Sequence, residues 1–336
     1  MDLISATDRG LYCAAGDFYI DPWRPVSRAL ITHGHSDHAG FGSDIYVCQE
    51  DTAPILRKRL GEGIAVETVR YGEALARDGV NVSFHPAGHV LGSAQIRVEY
   101  RGEIWVASGD YKLESDGVST PFEPIKCDTF ITESTFGLPI YRWRPQAVVI
   151  AEIDDWRREN AAAGRASIIY AYALGKAQRI LANVDPTLGP IYCHGAIEAI
   201  NDLHRAARVK LPPTLPVTET RDRSAFAGAL ILAPPSAAGS AWFKRFGEYS
   251  DALASGWMQV RGNRRRRGLD RGFVVSDHVD WPGLLLAIKE TCATRVLATH
   301  GFMAPLARYL QEQGLEARPL QTAYGEDEEV ASELPG

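Results

Sequence analysis

Short apolar runs, each closed by glycine, proline or a polar residue, recur along the chain and predict strands that alternate with helices. From Gly10 to Asp21, two such runs flank Gly16 and Asp17, which predicts a β-hairpin. Further strands are predicted at 45–48, 65–70, 80–85, 95–100, 104–110, 129–133, 167–173, 229–233, 273–276 and 295–298. Helices are predicted at 52–60, 145–160, 175–183 and 196–209, and around Leu284, Leu285 and Ile288. This alternation indicates an α/β (α+β) or layered sandwich architecture.

Polar side chains crowd the end of one early apolar run. The run at 29–31 is followed by His33, His35, Asp37 and His38, with glycines that allow tight turns. Imidazole nitrogens and a carboxylate oxygen are ligands for Zn²⁺ or a similar divalent ion. The alternative is a polar loop that happens to be rich in histidine, but uncompensated His and Asp beside an apolar strand would be costly to desolvate. The stretch therefore predicts a metal site at a strand end.

Other strands end in the same way. His89 stands in a glycine-flanked loop, Asp110 and Glu133 lie at the tips of apolar strands, and His278 and His300 follow two more. A single acid at a strand tip is often a turn former or a helix cap, whereas two after two histidine motifs indicate a shared site.

Asp21 has two interpretations that the residues leave open. As the residue before Pro22 at a strand end, it needs no role beyond turn formation. As a carboxylate close in sequence to the histidine cluster, it could also accept a hydrogen bond from a metal-bound histidine.

Composition and charge bound the class of protein. The chain has 336 residues, 45% of them apolar, and a net charge of −6, which allows two domains or one large one and argues against a non-specific polycation. No apolar segment approaches the roughly 18 residues of a membrane span, and no signal peptide is evident, so we expect a soluble, cytoplasmic protein. The pattern changes after Gly137, where a run of α/β units without acid-tipped strands suggests an inserted second domain.

The strongest charge run is formed by Arg264, Arg265, Arg266 and Arg267. It is either a solvated loop or a phosphate-binding loop, and its place just ahead of the His278 motif favours phosphates. An acidic tail occupies 326–336.

Taken together, the motifs resemble those of the metallo-β-lactamase superfamily and, within it, the β-CASP nucleases. The segment His33 to His38 matches H-x-H-x-D-H, and His89 and Asp110 match the next two motifs. Glu133, His278 and His300 look like the three β-CASP motifs. The resemblance implies a four-layer αββα metallo-β-lactamase sandwich, 1–137 and 270–325, with an inserted β-CASP α/β cap at 138–269.

The same resemblance implies a site and a reaction. One divalent ion would be held by His33, His35 and His89 and a second by Asp37, His38 and His300, with Asp110 bridging; Zn²⁺ is expected, with Mn²⁺ as the alternative. Hydrolysis of a phosphodiester by the activated water would leave a 5′-phosphate. Asp37, Asp110, His278 and Glu133 would be catalytic, with Asp21 supporting a histidine, and Ser134 and Arg264 to Arg267 would contact nucleic acid.

The sequence defines the substrate less narrowly than the reaction. The arginine-rich approach to His278 and the start Ile-Asp-Pro-Trp-Arg-Pro look like bacterial DNA exonucleases that work in repair with an ATP-dependent DNA ligase and a helicase. We therefore favour single-stranded DNA. His300 is more typical of RNA-processing members, which keeps a ribonuclease open, and a small-molecule hydrolase or a silent nucleic-acid-binding scaffold are lesser alternatives.

Overall fold

The computed structural model describes residues 2–217, 223–260 and 268–323. The chain divides into two compact units. The first comprises 1–115, 119–142 and 278–331, and the second comprises 116–118, 143–277 and 332–336. The sequence predicts an insert at 138–269, whereas the main stretch of the second unit runs from Trp143 to Asp277. The arginine run at 264–267 and the acidic tail at 326–336 lie outside the described residues.

The first unit contains two sheets. The first sheet has its strands in sequence order, β1 (Ser5–Ala6), β2 (Leu11–Cys13), β3 (Phe18–Ile20), β4 (Arg28–Ile31), β5 (Ile45–Gln49) and β6 (Val66–Val69). The predicted hairpin is confirmed, since β2 and β3 pair antiparallel with Cys13 opposite Phe18. From β3 to β6 the neighbours are parallel.

The second sheet of this unit runs in the order β19-β18-β11-β10-β9-β8-β7. Its strands are β7 (Ala74–Arg77), β8 (Val80–Pro86), β9 (Ala94–Tyr100), β10 (Glu103–Ala107), β11 (Thr129–Glu133), β18 (Arg295–Thr299) and β19 (Glu316–Pro319). The strands β10, β11, β18 and β19 are parallel to one another, whereas β10 pairs antiparallel with β9. Parallel strands end at one edge of a sheet, so residues that follow them are brought together.

Alternation of side chains along the strands builds three apolar layers in this unit. Leu30 and Trp105 point into the core between the two sheets. Ile31, next to Leu30, packs on the other face of the first sheet with helix α1 (Thr52–Leu60). Val106, next to Trp105, packs on the far face of the second sheet with helices α5 (Trp281–Thr291) and α6 (Met303–Glu312). Helix α1 therefore packs on the first sheet, and helices α5 and α6 pack on the second.

The second unit is a parallel α/β sheet in the order β14-β13-β15-β12-β16-β17. Its strands are β12 (Ala166–Tyr170), β13 (Ile191–Cys193), β14 (Leu215–Pro216), β15 (Leu230–Ala233), β16 (Tyr249–Ala254) and β17 (Arg271–Phe273), and its helices are α2 (Gln146–Ala162), α3 (Lys176–Asn183) and α4 (Gly195–Ala206). Short 3-10 turns lie at Pro186–Leu188, Arg223–Phe226, Pro235–Ala237, Ala241–Arg245 and Gly256–Gln259. The strands β12 and β15 are buried throughout, as expected for a sheet covered on both faces.

Among the helices that the structure describes, none has the length and apolar character needed to cross a bilayer.

Candidate metal centre

The predicted metal ligands lie at strand ends and in loops of the first unit. The cluster His33 to His38 follows β4, His89 lies in the loop between β8 and β9, and Asp110 lies just beyond the end of β10. Glu133 is the last residue of β11 and pairs in register with Thr299, which precedes His300. Because β10, β11 and β18 are adjacent and parallel, Asp110, Glu133 and His300 share one sheet edge.

A first group of potential ligands consists of His33, His35, His89 and Asp110, whose ligand atoms all lie within 4.8 Å of one another. The His35 Nδ1 atom is 3.1 Å from Nε2 of His33 and 3.1 Å from Nε2 of His89. The Asp110 Oδ2 atom lies 3.4 Å from His33 Nε2 and 3.7 Å from His89 Nε2. Three nitrogens and one oxygen therefore surround a common point.

A second group consists of Asp37, His38 and the same Asp110. The His38 Nε2 atom is 3.3 Å from Asp110 Oδ2 and 3.6 Å from Asp37 Oδ2. His300, predicted as a ligand here, is not in either group, but its ring stacks on His38 with centroids 5.1 Å apart. A small cavity of about 30 Å³, large enough for a water molecule, is lined by Asp37, His38 and His300 among other residues.

The chemistry of both groups fits divalent metals. With metal–nitrogen bonds of about 2.0–2.1 Å, two ligands of a tetrahedral ion are about 3.3 Å apart, close to the 3.1–3.7 Å separations in the first group. In the second group, His38 Nε2 and Asp110 Oδ1 are buried and have no hydrogen-bond partner among the described residues. Buried polar atoms are normally satisfied, so an ion at this point would satisfy both.

The pKa shifts of His33 and Asp110 suit metal binding. Burial lowers the pKa of His33 well below its ordinary value, and the adjacent His38 lowers it further. Burial alone would raise the pKa of Asp110, but His38 and His278 lower it, and the net pKa lies well below the usual range. A neutral imidazole and an ionised carboxylate are the protonation states that bind a divalent cation.

Asp21 contacts the cluster from the neighbouring strand end. Its Oδ2 lies 2.7 Å from His38 Nδ1, and its Oδ1 accepts the Thr32 N–H at 2.8 Å. The Thr32 hydroxyl donates to Asp21 Oδ2 at 2.5 Å. Asp21 also has a left-handed φ of 42°, so it turns the chain and orients the far side of the His38 ring at the same time.

Glu133 and His278 form a pair beside the metal ligands. Glu133 Oε2 lies 3.0 Å from His278 Nδ1, and Oε1 accepts the N–H of Tyr111 at 2.8 Å. Asp110, Glu133 and His278 also lie within 4.8 Å of one another. Both oxygens of Glu133 are engaged by protein donors, so this carboxylate differs from that of Asp110, whose Oδ1 has no partner in the described structure.

Ser134 is placed differently from the nucleic-acid contact that the sequence predicts. It is buried, and its hydroxyl is directed at the carbonyl oxygens of Thr299 and His300. The structure therefore gives Ser134 a role in holding the loop of His300, a residue with a left-handed φ of 51°. The predicted contacts of Arg264 to Arg267 fall outside the described residues.

Sequence reasoning missed several supporting residues. Thr32 and Tyr111 are next in sequence to His33 and Asp110, so adjacency to a ligand was an available signal. Arg59 donates from Nη1 to the carbonyl of Gly34 at 2.7 Å, and Thr52 donates to the carbonyl of Gly92 at 2.8 Å. These two lie on α1, away from the ligands in sequence, and had no such signal.

Two buried ligand groups that share one carboxylate define a candidate metalloprotein centre at the strand ends of a two-sheet unit. No family model matches the chain. The chain is 30% identical over 325 residues to a protein of Opitutus terrae named as a probable DNA ligase, covering 96% of this chain and 31% of that protein. It is 31% identical over 186 residues to cleavage and polyadenylation specificity factor subunit 3 of Dictyostelium discoideum, covering 52% of this chain and 23% of that protein.

A third relative, endoribonuclease YSH1 of Eremothecium gossypii, is 30% identical over 178 residues, covering 50% of this chain and 22% of that protein. The chain thus spans less than a third of the length of each of these three relatives. A solved protein of unknown function from Enterococcus faecalis V583 shares the fold, with a TM-score of 0.58, 12% identity and coverage of 88% of this chain and 79% of that chain. These relatives are consistent with the resemblance of the sequence motifs to the β-CASP nucleases of the metallo-β-lactamase superfamily.

Proposed function

We propose that this chain is a metal-dependent nuclease, built as a metallo-β-lactamase αββα sandwich with an inserted β-CASP cap at 138–269, that hydrolyses phosphodiester bonds in nucleic acid. One observation carries the proposal. The carboxylate of Asp110 belongs to two buried ligand groups and lies beside the separate Glu133–His278 pair. A shared carboxylate is what a pair of ions needs, and a nearby histidine can move the proton of a leaving oxygen.

In this proposal two Zn²⁺ ions, or two Mn²⁺ ions, occupy the site. His33, His35, His89 and Asp110 would hold one ion, and Asp37, His38 and Asp110 would hold the other, with His300 completing the second set. The chemistry that the ions supply when bound is polarisation of a phosphodiester oxygen and ionisation of the attacking water.

The protein's own residues would position the histidine rings and protonate the leaving oxygen. Glu133 holds the His278 ring through Nδ1, and Nε2 of the same ring would contact the scissile phosphate or give a proton to the leaving oxygen. Asp21 fixes the ring of His38 through its Nδ1 atom, so that Nε2 is directed at Asp110 and Asp37. The side chain of Asp37 is 27% exposed, so solvent reaches the ligand cluster.

For the substrate, we propose single-stranded DNA cut from one end to leave 5′-phosphates, in a repair reaction associated with an ATP-dependent DNA ligase and a helicase. The support is that 96% of the chain matches part of a protein named as a probable DNA ligase. RNA is the second candidate, because a relative named as an endoribonuclease matches 50% of the chain and His300 is typical of RNA-processing members. The arginine run at 264–267 would serve either strand by contacting phosphates.

The test is cleavage by purified protein of matched 5′-labelled DNA and RNA oligonucleotides, single- and double-stranded, with Zn²⁺ or Mn²⁺. We expect Asp37→Ala and His278→Ala to abolish cleavage, whereas His85→Ala, which changes a histidine outside the ligand groups, retains it. A ladder shortened from one end would identify an exonuclease. Wild-type rates in folded Asp37→Ala and His278→Ala proteins would overturn the mechanism, and turnover of esters or lactams alone would favour the small-molecule hydrolase.

A further inference from the structure

Helix α1 contacts both of the loops that carry the first ligand group. At its start, the Thr52 hydroxyl donates to the carbonyl of Gly92, in the loop that carries His89. At its end, Arg59 Nη1 donates to the carbonyl of Gly34, the residue between His33 and His35. The helix rises about 10.5 Å from Thr52 to Arg59, so one rigid element connects the two loops.

The contact at Thr52 is close-packed. Gly92 has a φ of +73°, and a Cβ built there would lie 2.5 Å from both N and Oγ1 of Thr52. The loop backbone can approach the helix only because residue 92 has no side chain. The hydroxyl of Thr52 is fully buried, so its hydrogen bond to Gly92 is shielded from water.

The contact at Arg59 acts on the peptide between two ligands. The helix itself is anchored, since Ala53, Leu56 and Leu60 pack in the apolar layer with Ile31 of β4. The backbone of the residue that supplies this donor is therefore held in place by packing. Its partner carbonyl belongs to Gly34, and rotation of that peptide would move the rings of His33 and His35 relative to each other.

We propose that Arg59 and Thr52 are positioning residues that hold His33, His35 and His89 at the mutual spacing needed for one metal ion. The inference rests on the metal centre of the proposed function and extends it to α1, which hydrogen-bonds to the backbone of both loops; the Arg59 guanidinium also interacts electrostatically with the Asp37 carboxylate. Metal ligands must be held within about 0.5 Å of the productive geometry by supporting hydrogen bonds. Loss of such a support typically costs 10–100-fold in metal affinity.

The experiment measures metal retained by purified protein, by elemental analysis, after equilibration with increasing chelator. Arg59→Met keeps the aliphatic stem and removes the donor, and Arg59→Lys keeps one charged donor. Lys58→Met is the matched control, because Lys58 is an exposed basic residue in the same turn. At the other end, Thr52→Val removes the hydroxyl and Thr52→Ser keeps it.

We expect Arg59→Met and Thr52→Val to release one ion per chain at about 10-fold or more lower chelator concentration than wild type. Arg59→Lys and Thr52→Ser should recover part of that loss, and Lys58→Met should follow wild type. Thermal unfolding of the metal-free proteins separates this effect from general destabilisation, because Arg59→Met should shift the metal-bound transition more than the metal-free one.

The outcomes separate the two proposals. If wild-type protein retains no metal, the proposed metal centre fails. If wild type retains metal and the retention curves of Arg59→Met and Thr52→Val overlay that of Lys58→Met, the metal centre stands and the positioning role of α1 is overturned. Equal shifts of the metal-free and metal-bound unfolding transitions would also overturn it, since the two side chains would then support only the fold.

Discussion

Replacing Glu133 by glutamine tests the assignment of His278 as the proton donor. In the structure, Glu133 Oε1 accepts the Tyr111 N–H at 2.8 Å, so the carbonyl oxygen of a glutamine must take that place. The glutamine NH₂ group would then face His278 Nδ1 across 3.0 Å. A donor in that position requires Nδ1 to accept, which moves the ring proton to Nε2 and removes the negative charge that stabilises a protonated ring.

The expected fall in the cleavage rate follows from the loss of a positioned proton donor. A positioned acid or base contributes typically 10²–10⁴-fold, which is about 2.7–5.5 kcal/mol at 1.36 kcal/mol per decade. We expect Glu133→Gln to lower the single-turnover rate of cleavage of a labelled strand by that factor, with metal content unchanged. Metal content is the informative companion measurement, because Asp110 and the histidines of both ligand groups remain in place.

A control is available in another histidine–carboxylate pair. Glu123 Oε2 lies 3.8 Å from His85 Nδ1 and its side chain is 55% exposed, so Glu123→Gln makes the same chemical change outside the site and should leave the rate unchanged. A Glu133→Gln protein that is folded, carries its metal and cleaves within about threefold of wild type would refute the reasoning, since less than 1 kcal/mol would then depend on the carboxylate.

Three further changes have defined outcomes. Asp21→Asn should reduce metal affinity by about 10–100-fold in chelator competition, because the acceptor 2.7 Å from His38 Nδ1 is weakened; unchanged affinity would leave Asp21 as a turn former only. Alanine in a left-handed backbone conformation costs roughly 1–2 kcal/mol, and Gly301→Ala should lower thermal stability by more than that because its Cβ would lie 2.4 Å from Thr135 Cα. Gly314→Ala is the control, since it has the same backbone strain and no clash. Burial lowers the pKa of His204 below its ordinary value of about 6.5, so the unfolded chain binds the proton more readily and the free energy of unfolding falls below that pH. In urea unfolding, His204→Gln should make this fall shallower by up to about 1.4 kcal/mol per pH unit. The same pH dependence in both proteins would contradict the prediction.

The elements with strong local signals could be predicted from the sequence. Helix α1 lies at Thr52–Leu60 as expected, and β11 ends at Glu133, the acid predicted at its tip. Such signals are local: an apolar run of the right length and a polar residue where it stops. They are also what places Asp110 and Glu133 together, because strands that end in acids and lie parallel must present those acids at one edge.

The elements that were not predicted lack such signals. Helix α6 begins after Phe302, which makes no side-chain cap, and carries Pro305 in its first turn. The edge strand β7 is only four residues long and largely exposed, although its Leu75 packs against the apolar core. Arg59 reads as one of three basic residues at a helix end, which is explained by the helix dipole alone, and only the folded chain shows its contact with Gly34.

Two acids that look alike in the sequence acquire different roles from their hydrogen bonds. Asp110 and Glu133 each end an apolar strand and each lies near His278. The Tyr111 N–H and the His278 ring engage both oxygens of Glu133, so a metal ion there would have to displace protein donors. Asp110 keeps an oxygen without a partner among the described residues while four histidines surround it. An unsatisfied buried carboxylate oxygen costs free energy, so a cation bound at Asp110 would stabilise the folded chain. Glu133 is already satisfied by its hydrogen bonds, one of which orients the His278 ring.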